Sequence, residues 1–82
     1  MAAMIRPSIR RGASEPPWRQ LAAILREQIA SGELPAGERI PSILALAETY
    51  GVAPVTVRKA LDKLKADGLI VTQPGWGTFV AE

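Results

Sequence analysis

The residues best suited to chemistry are four cations gathered between positions 53 and 65. Arg58, Lys59, Lys63 and Lys65 share this stretch with a single acidic residue, Asp62. Arginine and lysine repeated along one segment suit the binding of phosphate groups or of another polyanion. A charged face that only keeps a helix in contact with water is the alternative, and the cluster alone does not decide between the two.

Catalysis and metal binding find little support in the composition. The 82 residues contain no His and no Cys, which removes the usual general base, thiolate chemistry, disulfides and the common zinc ligands. Eight acidic residues are present, but none pairs with a nucleophile at a recognisable spacing. We therefore expect no enzyme activity, no cofactor and no metal site.

Basic charge also accumulates near the N-terminus, where Arg6, Arg10 and Arg11 stand against Glu15. This segment has no helical periodicity and ends in two prolines, so residues 1–16 are predicted to form a flexible basic arm. It lacks the apolar centre of a signal peptide, and no apolar run approaches the roughly 20 residues of a membrane span. Together with the missing cysteines, these features favour a cytoplasmic protein without a membrane partner.

The rest of the chain contains the elements that must position the central cations. Apolar residues recur at helical spacing in three segments: Trp18 to about Ser31, the stretch between the N-cap Ser42 and Gly51, and Pro54 to near Gly68. Two β-like runs, 69–72 and 78–80, flank a glycine-rich turn and predict a hairpin. The fold class is therefore mainly α with a small β-hairpin over residues 17–82.

The second and third predicted helices meet at a tight turn. Ala47 is small enough for two helices to cross closely, and Gly51 permits a positive φ. This arrangement is typical of a helix-turn-helix unit, and the hairpin after it makes a winged helix-turn-helix of three helices plus a wing. With its apolar stripe in the core, the third helix leaves its outward positions free. These include Val55, Thr56, Arg58, Lys59, Asp62 and Lys63. Such a helix fits the major groove of DNA, with its flanks near phosphates.

The residues of this region also resemble a known family, the GntR-type bacterial transcription regulators, in their N-terminal domain. The resemblance spans about residues 17–81 and includes Ser-Gly-Glu-Leu-Pro at 31–35 and Gly-Thr-Phe-Val at 77–80. Further matches are Trp18–Leu21, Ile40–Ser42, Leu46–Ala47, Tyr50–Val52, Thr56–Leu61 and Asp67–Ile70. So many spaced matches make the resemblance specific.

The resemblance implies sequence-specific binding of an operator in double-stranded DNA, usually for repression, by a homodimer on a palindromic site. It implies a phosphate contact at the cap Ser42, DNA contacts from Thr56 and Arg58, and a wing tip at Gly75 and Gly77. With their neighbours, the predicted DNA-binding residues are Ser42, Val55, Thr56, Arg58, Lys59, Lys63, Gly75, Trp76, Gly77 and Thr78. Family members usually add a larger effector domain, which has no counterpart in these 82 residues, so no effector site is expected here.

The sequence departs from the family pattern at several surface positions. Leu44, Pro54, Val55 and Trp76 each replace a residue type that usually supplies a donor or a charge. These changes predict fewer phosphate contacts and a weaker salt dependence of binding. They also leave an alternative function open, a protein–protein interaction module whose contact residues are Leu44, Val55 and Trp76. Trp76 has a further interpretation as a residue that covers the hairpin, and the arginines of the arm are a possible minor-groove contact.

Overall fold

The computed structural model describes residues 9, 10 and 12–82 of the chain. Its elements follow in the order α1 (Pro17–Ser31), α2 (Ile43–Tyr50), α3 (Pro54–Ala66), β1 (Ile70–Gln73) and β2 (Gly77–Val80). The predicted winged helix-turn-helix is therefore confirmed. Among the described helices, none combines the length and apolar character needed to span a bilayer.

Each helix begins and ends for a local reason. At the start of α2, the Ser42 hydroxyl accepts a hydrogen bond from the Ala45 amide at 3.1 Å, which confirms the predicted N-cap. α1 and α3 begin instead with proline, whose missing N–H costs nothing in the first turn. α2 ends at Gly51, which adopts a left-handed conformation with φ of 66° that a side chain would oppose.

The core lies between the three helices and is closed by the hairpin. α3 contacts both α1 and α2 and also β1. It presents four buried residues, each at most 5% exposed, to this core: Val57, Ala60, Leu61 and Leu64. Leu21 and Leu25 of α1 and Ile70 of β1 are also fully buried against them. Because the apolar side chains along one side of α3 are all buried in this core, the packing fixes which side of the helix faces the other elements.

The hairpin pairs β1 with β2 in antiparallel register, from Ile70 opposite Val80 to Gln73 opposite Gly77. Pro74 and Gly75 form the turn between them, closed by a 2.8 Å hydrogen bond from the Trp76 amide to the Gln73 carbonyl. Gly75 has a φ of 80°, as the third position of a type II turn requires. On the other edge of β2, Arg39 forms an isolated bridge with Phe79 and ties the hairpin to the segment before α2.

Part of the predicted N-terminal arm lies against α1. The Arg10 amide donates to the Gln20 side-chain oxygen at 2.6 Å, and the Gln20 side-chain amide donates to the carbonyls of Arg10 and Glu15. Ile9 packs at the edge of the core. Arg6 and Arg11, the other two cations of the arm prediction, lie outside the described residues.

Candidate nucleic-acid interface

The turn between α2 and α3 sets the angle at which α3 leaves the domain. The Val52 amide donates to the Ala47 carbonyl at 3.0 Å, so the chain reverses directly after α2. Ala47 and Val57 are buried where the two helices meet, and Val52 is half-buried beside them. This packing positions α3 with its outer face towards solvent.

The outer face of α3 contains the predicted reading residues. Val55, Arg58, Lys59 and Lys63 are exposed, as predicted from the helical spacing. Thr56 is half-buried, so it is less exposed than the spacing suggested. The same helix thus combines an apolar inner stripe with an exposed surface that carries four cations, Arg58, Lys59, Lys63 and Lys65, and one acid, Asp62.

Arg58 lies on this face and forms no ion pair among residues 9, 10 and 12–82. Its planar guanidinium carries five N–H donors, a geometry that matches the two acceptors of a guanine edge or the oxygens of a phosphate. Lys65 is also exposed and outside the ion pairs of the described residues, but Arg58 is the cation of α3 whose geometry suits recognition of a base edge.

Lys59 has an aromatic partner on α1. Its Nζ atom lies 5.1 Å from the centroid of the Trp18 ring, and Arg19 lies 5.9 Å from the same ring. These distances allow cation–π attraction, which holds the Lys59 ammonium towards the start of α1. The sequence reasoning missed this contact, because no local pattern links residues that are 41 positions apart.

Lys63 is engaged in an ion-pair network at the other end of the helix. Its Nζ atom lies 3.4 Å from Oδ1 of Asp67, whose other carboxylate oxygen accepts a hydrogen bond from Arg26 of α1. Desolvation raises the pKa of Asp67, but the hydrogen bonds and charges of Lys63 and Arg26 outweigh it and hold that pKa below its ordinary value. The Asp67 carboxylate is therefore ionised at neutral pH and neutralises part of the Lys63 charge.

The wing presents a large aromatic residue at its tip. Trp76 is 75% exposed, so the interpretation that it covers the hairpin is wrong. Next to it, Gly77 has a φ of 124°, and a Cβ atom there would lie 2.6 Å from Nε of Arg39. Arg39, a cation absent from the predicted set, thus lies directly over the wing because Gly77 has no side chain. Thr78 is half-buried in β2.

The predicted site residues fall into three groups. Val55, Thr56, Arg58, Lys59 and Lys63 share α3, while Gly75, Trp76, Gly77 and Thr78 share the wing. Ser42 stands apart at the start of α2, where its hydroxyl already accepts the capping hydrogen bond. Leu44, in the first turn of α2, is 69% exposed and apolar. Their contacts with DNA stay predictions.

Three helices around one core, a glycine turn before an outward-facing basic helix, and a hairpin directly after it define a winged helix-turn-helix domain. The chain belongs to the GntR family, because residues 17–80 match the family of bacterial regulatory proteins of that name. The predicted family is therefore confirmed, and its members are regulators of transcription.

Two curated relatives illustrate the match. The chain is 44% identical over 68 residues to the mannosyl-D-glycerate transport/metabolism system repressor MngR of Escherichia coli, covering 83% of this chain and 28% of that protein. It is 45% identical over 69 residues to the HTH-type transcriptional regulator Rv0792c of Mycobacterium tuberculosis, covering 84% and 26% respectively. The chain thus spans about a quarter of the length of these relatives.

Solved structures of the family have the same fold. YtrA from Sulfolobus acidocaldarius, a GntR-family transcription factor, superposes with a TM-score of 0.87 at 36% identity, over 95% of this chain and 82% of that one. The AraR DBD in complex with operator ORX1 superposes with a TM-score of 0.84 at 29% identity, over 90% and 94%. The second structure is an operator complex of AraR.

Proposed function

We propose that this domain binds a specific operator in double-stranded DNA as the DNA-binding part of a bacterial transcriptional repressor. The observation that carries the proposal is the division of α3 into a buried apolar stripe and an exposed face that includes Arg58. MngR is named a repressor, and the AraR DBD was solved on an operator, which supports the same role here.

In this proposal α3 lies in the major groove, where its first turns meet base edges and its flanks meet phosphates. Thr56 and Arg58 contact bases, while Lys59 and Lys63 contact the backbone. The cap Ser42 brings the first amides of α2 close to a phosphate, because the opening N–H groups of a helix have no partner within it. The wing tip, from Gly75 to Thr78, lies against the neighbouring groove or backbone.

We further propose that two copies bind a palindromic operator. A single helix reads only a few base pairs, and half-sites one helical turn apart are separated by about 34–36 Å. The domain measures 34 × 33 × 21 Å, so two copies fit side by side at that spacing. Light scattering of the complex is expected to show two chains on the full site and one on a half-site.

This role places the chain in the cytoplasm, where bacterial DNA is found, and assigns it no catalytic step. A protein–protein interaction module is the second candidate function. It is favoured by the exposed apolar side chains of Leu44, Val55 and Trp76, which are all at least 69% exposed.

The central experiment selects binding sites from random DNA and then compares Arg58→Ala with the unaltered chain by fluorescence anisotropy. Loss of a bidentate base contact is expected to weaken operator binding by roughly 5- to 150-fold and to relax specificity at one base pair. The control variant Lys65→Ala removes the same charge from the last turn of α3, and it is expected to leave the preference for operator over random DNA unchanged.

Two outcomes contradict the proposal. If Arg58→Ala binds the selected site as tightly as the unaltered chain, α3 is not the reading helix. If the unaltered chain binds no DNA at low salt but captures a protein through Leu44, Val55 and Trp76, the second candidate function is correct.

A further inference from the structure

The N-terminal end of α3 is exposed and apolar. Its N-cap is Ala53, which forms no side-chain capping hydrogen bond, and Pro54 and Val55 follow as the first two residues of the helix. All three are exposed, with Val55 at 71%. The first turn contains no acidic residue, so its side chains offer no donor, acceptor or charge before Thr56.

Neither stability nor helix formation accounts for Val55. It lies outside the core, and its side chain is hydrated rather than buried. Valine also has a lower helix propensity than alanine or most polar residues, because its branched Cβ restricts χ1. The apolar surface of Val55 is therefore available to a partner outside the chain.

The chemistry of the major groove restricts what that partner can be. Guanine, adenine and cytosine present hydrogen-bonding groups there, and thymine alone adds an apolar group, its C5 methyl. An apolar side chain placed against a donor or acceptor removes water without replacing the hydrogen bond, which is unfavourable. Against the thymine methyl, the same side chain buries apolar surface on both partners.

From this geometry we infer that Val55 reads the C5 methyl group of a thymine in each operator half-site. The inference rests on the proposed function, since it requires α3 to lie in the major groove. Arg58 follows Val55 by three residues, which is about 4.5 Å along the helix axis. This distance lies between one and two steps of about 3.4 Å between base pairs. The thymine therefore lies one or two base pairs from the base that Arg58 contacts.

Replacing thymine by deoxyuridine tests the inference directly, because uracil keeps every hydrogen-bonding group and lacks only the methyl. In the site selected by the unaltered chain, each thymine is replaced in turn and binding is measured by fluorescence anisotropy. One replacement per half-site, close to the position that Arg58→Ala relaxes, is expected to weaken binding about fourfold for each methyl removed. Replacements outside the half-sites are expected to have no effect.

Two matched variants assign the effect to Val55. Val55→Ser is expected to bind thymine and deoxyuridine sites equally, because it removes the apolar contact. Leu44→Ser makes a similar change at an equally exposed residue on α2, and it is expected to retain the fourfold difference. Both positions are exposed, and circular dichroism verifies that each variant is folded.

The outcomes separate the inference from the proposed function. If the unaltered chain binds its selected site but no deoxyuridine replacement weakens binding, the thymine reading is wrong while DNA binding stands. A selected half-site without thymine, or a fourfold difference that persists in Val55→Ser, overturns the inference in the same way. Absence of any DNA binding overturns both.

Discussion

Replacing Asp67 by asparagine tests how far the ion-pair network limits the phosphate contacts of α3. In the structure Asp67 lies 3.4 Å from the Lys63 ammonium and accepts a hydrogen bond from Arg26. An ammonium that is paired with a carboxylate gains less from a phosphate, because the two anions compete for it. Asp67→Asn keeps the size of the side chain and removes this competition, so DNA binding is expected to become tighter.

The magnitude follows from counterion release. Each additional phosphate neutralised by a lysine adds about 0.9 to the slope of the logarithm of affinity against the logarithm of salt concentration. If Lys63 gains one full contact, a fourfold change in salt, from about 50 to 200 mM, changes the affinity ratio of the variant to the unaltered chain by about 3.5-fold. The gain is therefore largest at low salt.

The comparison of Asp67 with asparagine depends on pH, because the carboxylate loses its charge when it is protonated. Because its pKa in the folded domain lies below the ordinary value of 3.8, the ion pair contributes its full stability above that value. This contribution is lost as the pH falls through the lower folded-state pKa. Near neutral pH the carboxylate is fully charged, and the comparison with asparagine measures the whole effect of the charge.

Fluorescence anisotropy titrations at several salt concentrations measure both slopes, and a double-mutant cycle with Lys63→Met isolates the pair. In the Lys63→Met background, Asp67→Asn is expected to change neither the affinity for DNA nor the slope of affinity against salt concentration. An equal gain in both backgrounds would show that general charge or the released Arg26 causes the effect, and the reasoning about Lys63 would be refuted.

Three further predictions concern the wing and the core. Trp76→Ala is expected to change the free energy of unfolding by less than about 0.5 kcal/mol, because the ring is exposed, and to weaken operator binding several-fold. Val71→Ala, on the same hairpin, is the control. Equal operator affinities for the unaltered chain and both variants would contradict a contact between the wing and DNA. Gly77→Ala is expected to lower stability by about 1–3 kcal/mol in thermal unfolding, because alanine is strained at the Gly77 φ of 124°. Adding Arg39→Ala to this variant is not expected to restore stability. Restored stability would show that the loss comes from the close approach of the new Cβ atom to Arg39 and not from backbone strain. Leu64→Ala is expected to cost about 2–5 kcal/mol in urea unfolding, and a cost below about 1 kcal/mol would contradict its place at the centre of the core.

The missed contacts of the site share one cause. Lys59 and Trp18, like Asp67 and Arg26, are separated by about 40 positions and meet only because α1 packs across α3. Helical spacing shows that Lys59 and Lys63 face outward, but it carries no information on which side chains of another helix lie beside them. The contact of Lys59 with Trp18 and that of Asp67 with Arg26 were therefore not predicted. The pair of Lys63 with Asp67 is different, because these residues are four positions apart and helical spacing alone allows them to meet.

The wing shows the same limit in its sequence pattern. A turn at Pro74-Gly75 between two β-like runs predicts the hairpin, because these residue types suit a type II turn. Whether Trp76 points away from the domain, and which side chain lies over Gly77, depends on how the hairpin docks against the segment that contains Arg39.

The sequence by itself determined the helices, the hairpin and the family of this protein. Apolar spacing, proline and serine at helix starts and glycine at helix ends act within a few residues, so they are readable along the chain. Only the tertiary structure decided which side chains of α1 meet the cations of α3. Among the described residues, Arg58 and Lys65 form no ion pair. Trp18 lies beside Lys59, and Arg26 shares the Asp67 carboxylate with Lys63, because α1 packs across α3 and brings together residues that are remote in sequence.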